Sequence, residues 1–238
     1  MDPGEADEER LAVDAQQVAS LLSKTTLFAA HSSQACLELA ERTTQRAYRP
    51  GQVVFVQDEP GDRMFIVAEG SVKLLIRSAH GDAVELARRW PGDVFGEVAL
   101  LDGGPRSASA EAVERSVLVA IARGELIRLL RDNERVVDAL LTSLGRLVRR
   151  ANRQSTDLIF LDLRGRVAKK LLELAKAGGT MSGPLHRITQ GDLAQMVGGA
   201  RQTVNQILKQ FEERGWIKLA NRTIEIVGWE GLQRQAGG

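Results

Sequence analysis

The sequence predicts an α+β chain: a small antiparallel β-roll, one long amphipathic helix, and a helix-turn-helix with a β wing. Three observations lead there. Between about Gln45 and Ile121, short apolar and β-branched runs (VVFV, MFIV, VKLLI, SVLVAI) alternate with glycines at positions 51, 61, 70, 81 and 92. That rhythm suits short strands joined by tight turns. After Arg123 the apolar period becomes helical and stays so for several turns. Finally, two short amphipathic segments meet at Gly198-Gly199 and are followed by residues able to pair as strands.

Ahead of the strands, residues 1–13 (MDPGEADEERLAV) are acidic and carry few apolar side chains, and the block 1–20 is expected to be an acidic tail. Residues 14–30 and 33–42 have helical spacing, with Val18, Leu21 and Leu22, then Leu37, Leu39 and Ala40. The strand region has the turn chemistry it needs: RPG, EPGD, EGS, HGD and PGD place Pro, Gly or Asp where φ is fixed or positive. With the two helices ahead of it, this predicts a roll domain over residues 21–134.

The long helix carries Val137, Leu141, Leu144, Val148, Ala151, Ser155 and Leu158, four and three residues apart in turn. A repeat of 3.5 residues is that of a coiled-coil seam. A core helix lying on its own roll would explain part of the pattern. The basic remainder, Arg146, Arg149, Arg150 and Arg153, favours a narrow stripe that pairs with a second copy through residues 135–161. A new amphipathic helix then starts in LDLRGRVAKKLLELAKAGG and stops at Gly-Gly. It opens the last domain, 162–238, which ends in the strand pair ANRTIEIVG.

Composition bounds the chemistry. Cys36 is the only cysteine, which excludes an intramolecular disulfide and a cysteine-ligated cluster within one chain. His31, His80 and His186 have no metal-ligand spacing, so no metal is expected. No apolar run approaches the length of a membrane span, and the acidic start is unlike a secretory signal; a cytoplasmic protein without membrane contact is expected. The net charge of +1 conceals an asymmetry: residues 162–238 hold 12 Lys/Arg against 7 Asp/Glu, and the remainder 20 against 24. The positive end coincides with the helix pair.

In that pair, ITQGDLAQMVGGARQTVNQILKQFEERGWIKL, Thr189 can cap a first helix whose Leu193, Met196 and Val197 face inward. A second helix buries Val204, Ile207, Leu208 and Phe211. Its other face presents Arg201, Gln202, Asn205, Gln206 and Lys209, side chains that meet base edges when such a helix enters a major groove. An ordinary αα-hairpin with a solvated face is the plain alternative; the strands after GWIKL, which would form a wing, weigh against it. The other cassette is GDVFGEVALLDGGPRSASAEAV. Gly96 and Glu97 open a short turn of helix, and Gly103-Gly104-Pro105 returns the chain to Arg106 and Ser107. Helix-start amides, a guanidinium fork and a hydroxyl form an anion pocket, and a carboxylate beside them can take a sugar hydroxyl. The same Arg and Glu could instead be a structural ion pair. Neither a Ser/His/Asp set nor a GxxxxGK[ST] loop accompanies them, so no enzyme is expected.

Both motifs, in this order, resemble the catabolite activator protein (CRP/FNR) family from about Leu21 to Ile226: FGE…PRSAS, FLDLRGRVAKKLLELAK and GGARQTVNQILKQFEERGWI carry the likeness. The resemblance implies a cyclic-nucleotide-binding β-roll, a dimerisation helix and a winged helix-turn-helix. It makes cyclic AMP the effector, held by Gly96, Glu97, Val98, Arg106 and Ser107, with Asn152 at the base. Palindromic double-stranded DNA would meet Thr189, Gln190, Ala200, Arg201, Gln202, Thr203, Gln206 and Lys209, and RNA polymerase would be a further partner. The chain departs from the family pattern in three ways. Ala151-Asn152 stands where cyclic-AMP-binding members carry Thr-Ser or Thr-Asn, a loss of one hydroxyl worth about 0.5–1.5 kcal/mol. Gln202 and Gln206 replace an acidic and a basic residue on the reading helix. The redox branch's N-terminal cysteine cluster is absent. A regulator that needs no cyclic nucleotide, or another effector, is the rival reading; a small-molecule module or enzyme with a structural C-terminal domain is a more distant one.

Overall fold

The computed structural model describes residues 14–25, 27–29, 32–77, 83–177, 184–185, 189–220 and 223–237. Residues 1–13 of the expected tail and all three histidines lie outside them, whereas residues 15–20 of that 1–20 block are helical, with Val18 buried. The chain divides into two compact units, residues 1–76 with 86–147 and residues 77–85 with 148–238.

The first unit begins with α1 (Ala15–Lys24), capped by the Asp14 carboxylate, and α2 (Ser33–Ala40), capped by Ser32. The strands follow: β1 (Thr44–Tyr48), β2 (Val53–Phe55), β3 (Arg63–Glu69), β4 (Val72–Arg77), β5 (Ala83–Arg89) and β6 (Val94–Phe95). A short α3 (Glu97–Asp102) separates them from β7 (Ser109–Ala112) and β8 (Ser116–Ala122). They form two four-stranded sheets, ordered β1-β8-β3-β6 and β2-β7-β4-β5. Successive side chains of a strand point to opposite faces, and here both faces of β3 and β8 are covered. Phe65, Val67 and Leu118 face the roll interior with Val72, Phe95 and Ala110. Met64, Ile66, Val119 and Ile121 pack with Val18 and Leu22 of α1 and Leu39 of α2. Double burial explains why MFIV and SVLVAI read as unbroken apolar runs.

Beyond β8 the structure has two helices where the period suggested one. α4 (Arg123–Asp132) ends at Asn133, whose extended backbone (φ −150°, ψ 105°) breaks the run. The Asn133 carboxamide oxygen then accepts from the Arg135 amide and starts α5 (Glu134–Phe160). One side of the long helix packs on its own unit, Leu144 of the 3.5-residue stripe included. Val136 and Leu140 are buried in the cluster that holds α1, α2 and α4. Leu141, Val148 and Leu158, from the 3.5-residue stripe, are 60%, 58% and 60% exposed.

The second unit contains α6 (Leu163–Ala177), β9 (Pro184–Leu185), α7 (Gln190–Val197), α8 (Arg201–Glu213), β10 (Ile217–Ala220), β11 (Thr223–Ile226) and α9 (Trp229–Ala236). One core joins them: Val167 and Leu171 of α6, Leu193 and Val197 of α7, Val204, Leu208 and Phe211 of α8, and Leu232 of α9. The end of the chain departs from the expectation twice. The wing has three strands, β10-β11-β9, rather than two, and the chain closes on a helix. α9 is fixed by its fully buried Leu232 and by Gly231, where any Cβ would collide with the Trp216 indole ring. Among the described residues, no helix is long and apolar enough to cross a membrane.

Candidate ligand cassette and nucleic-acid interface

Arg106 is the centre of the first site. Its backbone is tied to the β2–β3 turn: its amide donates to the Glu59 carbonyl (2.8 Å) and its carbonyl accepts from the Asp58 amide (2.9 Å). The side chain is 4% exposed. Nη1 donates to the Gly96 carbonyl at 2.9 Å and Nη2 to the Arg63 carbonyl at 2.8 Å. The guanidinium stacks over Phe55, 4.2 Å from its ring centre, within a cluster of Phe55, Phe65 and Phe95. Its Nε is buried without a hydrogen-bond partner. Among the described residues no carboxylate forms an ion pair with it, so the simple reading of Arg106 and Glu97 as a structural pair does not describe this cassette. Burial pulls the Arg106 pKa down, partly opposed by the charge of Asp62.

Glu97 starts α3 after Gly96, whose left-handed backbone (φ 77°) only glycine adopts cheaply. The carboxyl group is buried, which pushes its pKa above the ordinary carboxylate value. A hydrogen bond from its own backbone and the positive charge of Arg89 oppose that rise. Val98 is half-buried and Ser107 is exposed, next in sequence to the buried Arg106. The structure therefore assembles Gly96, Glu97, Val98 and Arg106 in one place, through α3 and the hydrogen bond from Arg106 to Gly96. Asn152 lies on α5, exposed, in the second unit.

Sequence reasoning missed the supports of Arg106. Phe55 and the Arg63 carbonyl carry no recognisable signal at their positions. Gly61 does carry one: it stands in EPGD, where turn chemistry alone accounts for a glycine. A Cβ there would lie 2.6 Å from the Ala99 Cβ and 3.1 Å from Arg106, so the turn has to be bare for Arg106 to fit.

The second site is built on α7 and α8. Thr189 and Asp192 form a reciprocal capping box: the Thr189 hydroxyl accepts from the Asp192 amide, and the Asp192 carboxylate accepts from the Thr189 amide. Gly198 turns the corner in the left-handed region (φ 62°). Arg166 of α6 braces the corner, donating to the Val197 carbonyl and the Leu161 carbonyl, both at 3.1 Å. With Val204, Ile207, Leu208 and Phe211 buried, α8 exposes Arg201, Gln202, Thr203, Gln206 and Lys209, all within its first nine residues. Ala200 is its exposed N-cap residue, and Gln190, half-buried, opens α7. Asn205 is half-buried, its Oδ1 without a hydrogen-bond partner.

Residues 45–133 match the family of cyclic nucleotide-binding domains, and residues 165–235 match the Crp-like helix-turn-helix domain. A CRP-like cAMP-activated global transcriptional regulator of Mycobacterium tuberculosis is 37% identical over 220 residues, covering 91% of this chain and 98% of that protein. The chain belongs to the CRP/FNR family. A cyclic AMP receptor protein of Thermus thermophilus is 37% identical over 182 residues, which cover 76% of this chain and 83% of that one. The crystal structure of the Thermus thermophilus catabolite activator protein is 32% identical, with a TM-score of 0.53, over 90% of this chain and 99% of that one. These CRP/FNR relatives are transcriptional regulators rather than enzymes. The chain accordingly combines a cyclic nucleotide-binding domain, which contains the Arg106 cassette, with a DNA-binding helix-turn-helix, which contains α7 and α8.

Proposed function

We propose that this CRP/FNR member is a homodimeric regulator whose affinity for palindromic double-stranded DNA is set by a cyclic nucleotide, cyclic AMP in the first place. One observation carries the proposal: Arg106 is a buried guanidinium in ion-pair contact with no carboxylate among the described residues, its Nε without a hydrogen-bond partner, while the charges of Asp62 and Glu59 act on it from further off. A buried charge without a directly paired counter-charge is costly, and a cyclic phosphodiester supplies one negative charge with acceptor oxygens. In this reading Arg106 and Ser107 hold the phosphate with the backbone at Gly96 and Val98, and Glu97 accepts from the ribose hydroxyl. Asn152 is the candidate for the polar edge of the base. Arg201, Gln202, Thr203, Gln206 and Lys209 meet the major groove, with Thr189, Gln190 and Ala200 at the backbone. RNA polymerase would be the partner that such a regulator addresses.

The second copy is proposed from α5. Its Val136–Leu140 face is already covered, whereas Leu141, Val148 and Leu158 leave apolar surface open at coiled-coil spacing. Val148→Glu would place a charge from each copy in that seam and cost the dimer about 3–5 kcal/mol. Sedimentation analysis should then find monomer where the unsubstituted chain is dimeric; a dimer unchanged by the substitution removes α5 as the interface. The ligand acts on DNA binding only if it binds the DNA-competent arrangement more tightly than the other. Fluorescence anisotropy with palindromic DNA, with and without cyclic AMP, tests this. Tightening of tenfold or more supports the proposal, and equal affinity in both conditions favours a regulator that works without the nucleotide.

A further inference from the structure

Gln202 and Gln206 stand one helical turn apart on α8, about 40° from each other around the axis at 100° per residue. Both are exposed, and among the described residues neither side chain makes a hydrogen bond. They point away from Val204, Ile207, Leu208 and Phe211, which hold the helix to its core. Lys209 lies about 20° from Gln202, on the side away from Gln206, and further along the axis. Arg201, in the first turn, is the other exposed cation of the helix. At its far end the exposed Glu213 shares the outward face, where its charge repels phosphate and ends the contact surface.

A glutamine side chain offers one donor and one acceptor side by side. Adenine alone presents the complement in the major groove, the N7 acceptor beside the N6 donor. Guanine presents two acceptors there and cytosine a lone donor, so either would leave one half of the amide unpaired in a desolvated interface. We infer that this chain selects an operator half-site with adenines at the two positions met by Gln202 and Gln206. A guanine read by Arg201 adjoins them. Four residues of α-helix rise about 6 Å, close to two base steps, which sets the expected separation of the two A·T pairs. The inference rests on the reading of α8 as the helix that enters the groove.

The test uses the full chain, with cyclic AMP present and absent, in selection from a duplex library whose palindromic half-sites are randomised. Expected are two A·T pairs about two steps apart beside a G·C pair. Anisotropy on the selected site should show Gln202→Ala and Gln206→Ala each weakening binding about 5- to 150-fold, the worth of one bidentate pair. On a site that already lacks the matching adenine, the same substitution should change little. Gln202→Glu should move the preference at its position toward cytosine. Circular dichroism of the variants establishes that they fold, as substitutions at these exposed positions should allow. Specific DNA binding with G·C at both positions, or with preferences that neither alanine variant alters, would overturn the inference while leaving α8 as the DNA-binding helix. Absence of any selected sequence under both conditions would overturn that reading and the inference with it.

Discussion

Arg106 and Arg201 are the same side chain in opposite circumstances. Arg106 is held by two carbonyls and the rings of Phe55 and Phe65 and is 4% exposed. Arg201 stands in water at the start of α8, without a partner among the described residues. The cassette is preorganised: its arginine has already lost rotamer freedom and hydration, so an anion arriving there costs little further ordering. The reading helix is poised differently. Its backbone is fixed by a capping box, a glycine corner and the Arg166 brace, while its side chains remain free to fit a base edge. A small ligand with a single shape suits the first arrangement, and a duplex of variable sequence suits the second.

Replacing each arginine is the direct way to break the comparison. Arg106→Ala should cause the largest loss, about 1.5–3 kcal/mol of cyclic nucleotide affinity, or roughly ten- to 150-fold. It should also lower the melting temperature, because the Gly96 and Arg63 carbonyls lose their donors. Arg106→Lys should rescue little, since an ammonium cannot reproduce the fork. Calorimetric titration and a melting curve measure both effects; nucleotide affinity that survives Arg106→Ala removes the cassette assignment. Arg201→Ala should cost about 1–3 kcal/mol of DNA affinity at one base position and relax selectivity there. Its melting temperature should stay near that of the unsubstituted chain, within the roughly 0.5 kcal/mol usual for surface changes. Uniform weakening on every DNA sequence would instead make Arg201 a phosphate contact.

Glu97 sharpens the contrast further: it is buried next in sequence to Gly96, whose carbonyl Arg106 holds, and the cation that acts on it is Arg89. Burial raises its pKa above the unfolded value. A carboxyl with a raised folded-state pKa contributes stability at low pH, and that contribution is lost as pH rises through the folded-state value. Glu97→Gln should therefore melt at or above the temperature of the unsubstituted protein at neutral pH. The difference should shrink as the solution is acidified. The same variant should weaken nucleotide binding, because a neutral amide oxygen accepts a ribose hydroxyl more weakly than a carboxylate. Melting curves across pH that run parallel for the two proteins would contradict the account of Glu97. Outside both sites, on α9, Gly231→Ala should cost about 1–3 kcal/mol of stability by overpacking against Trp216. Nucleotide affinity should not change.

The β-roll was legible because its turns are marked by glycine, proline and aspartate, and α8 because its buried and exposed faces separate cleanly at a period of 3.6. What escaped was decided by local geometry or by contacts distant in sequence. Asn133 breaks one helical pattern into α4 and α5 through an extended backbone that apolar spacing does not register. α9 has Trp229, Leu232 and Ala236 at helical intervals, but it is only eight residues long and carries Gly231 inside it, so its periodicity is weak. Gly231 is there because the Trp216 ring leaves no room for a side chain. In the cassette, the residue types of Arg106 and Glu97 suggested an anion site and an ion pair equally. Only the positions of the Gly96 and Arg63 carbonyls and of Phe55 separate the two, and none of these is written in the motif.

Calorimetric titration of the full chain with cyclic AMP, and with cyclic GMP beside it, tests the central claim most directly. The account predicts saturable binding of cyclic AMP at one site per chain, abolished or strongly weakened by Arg106→Ala. Absence of binding of either nucleotide by the folded protein would contradict it, and would leave Arg106 as a buried charge whose partner is of another kind.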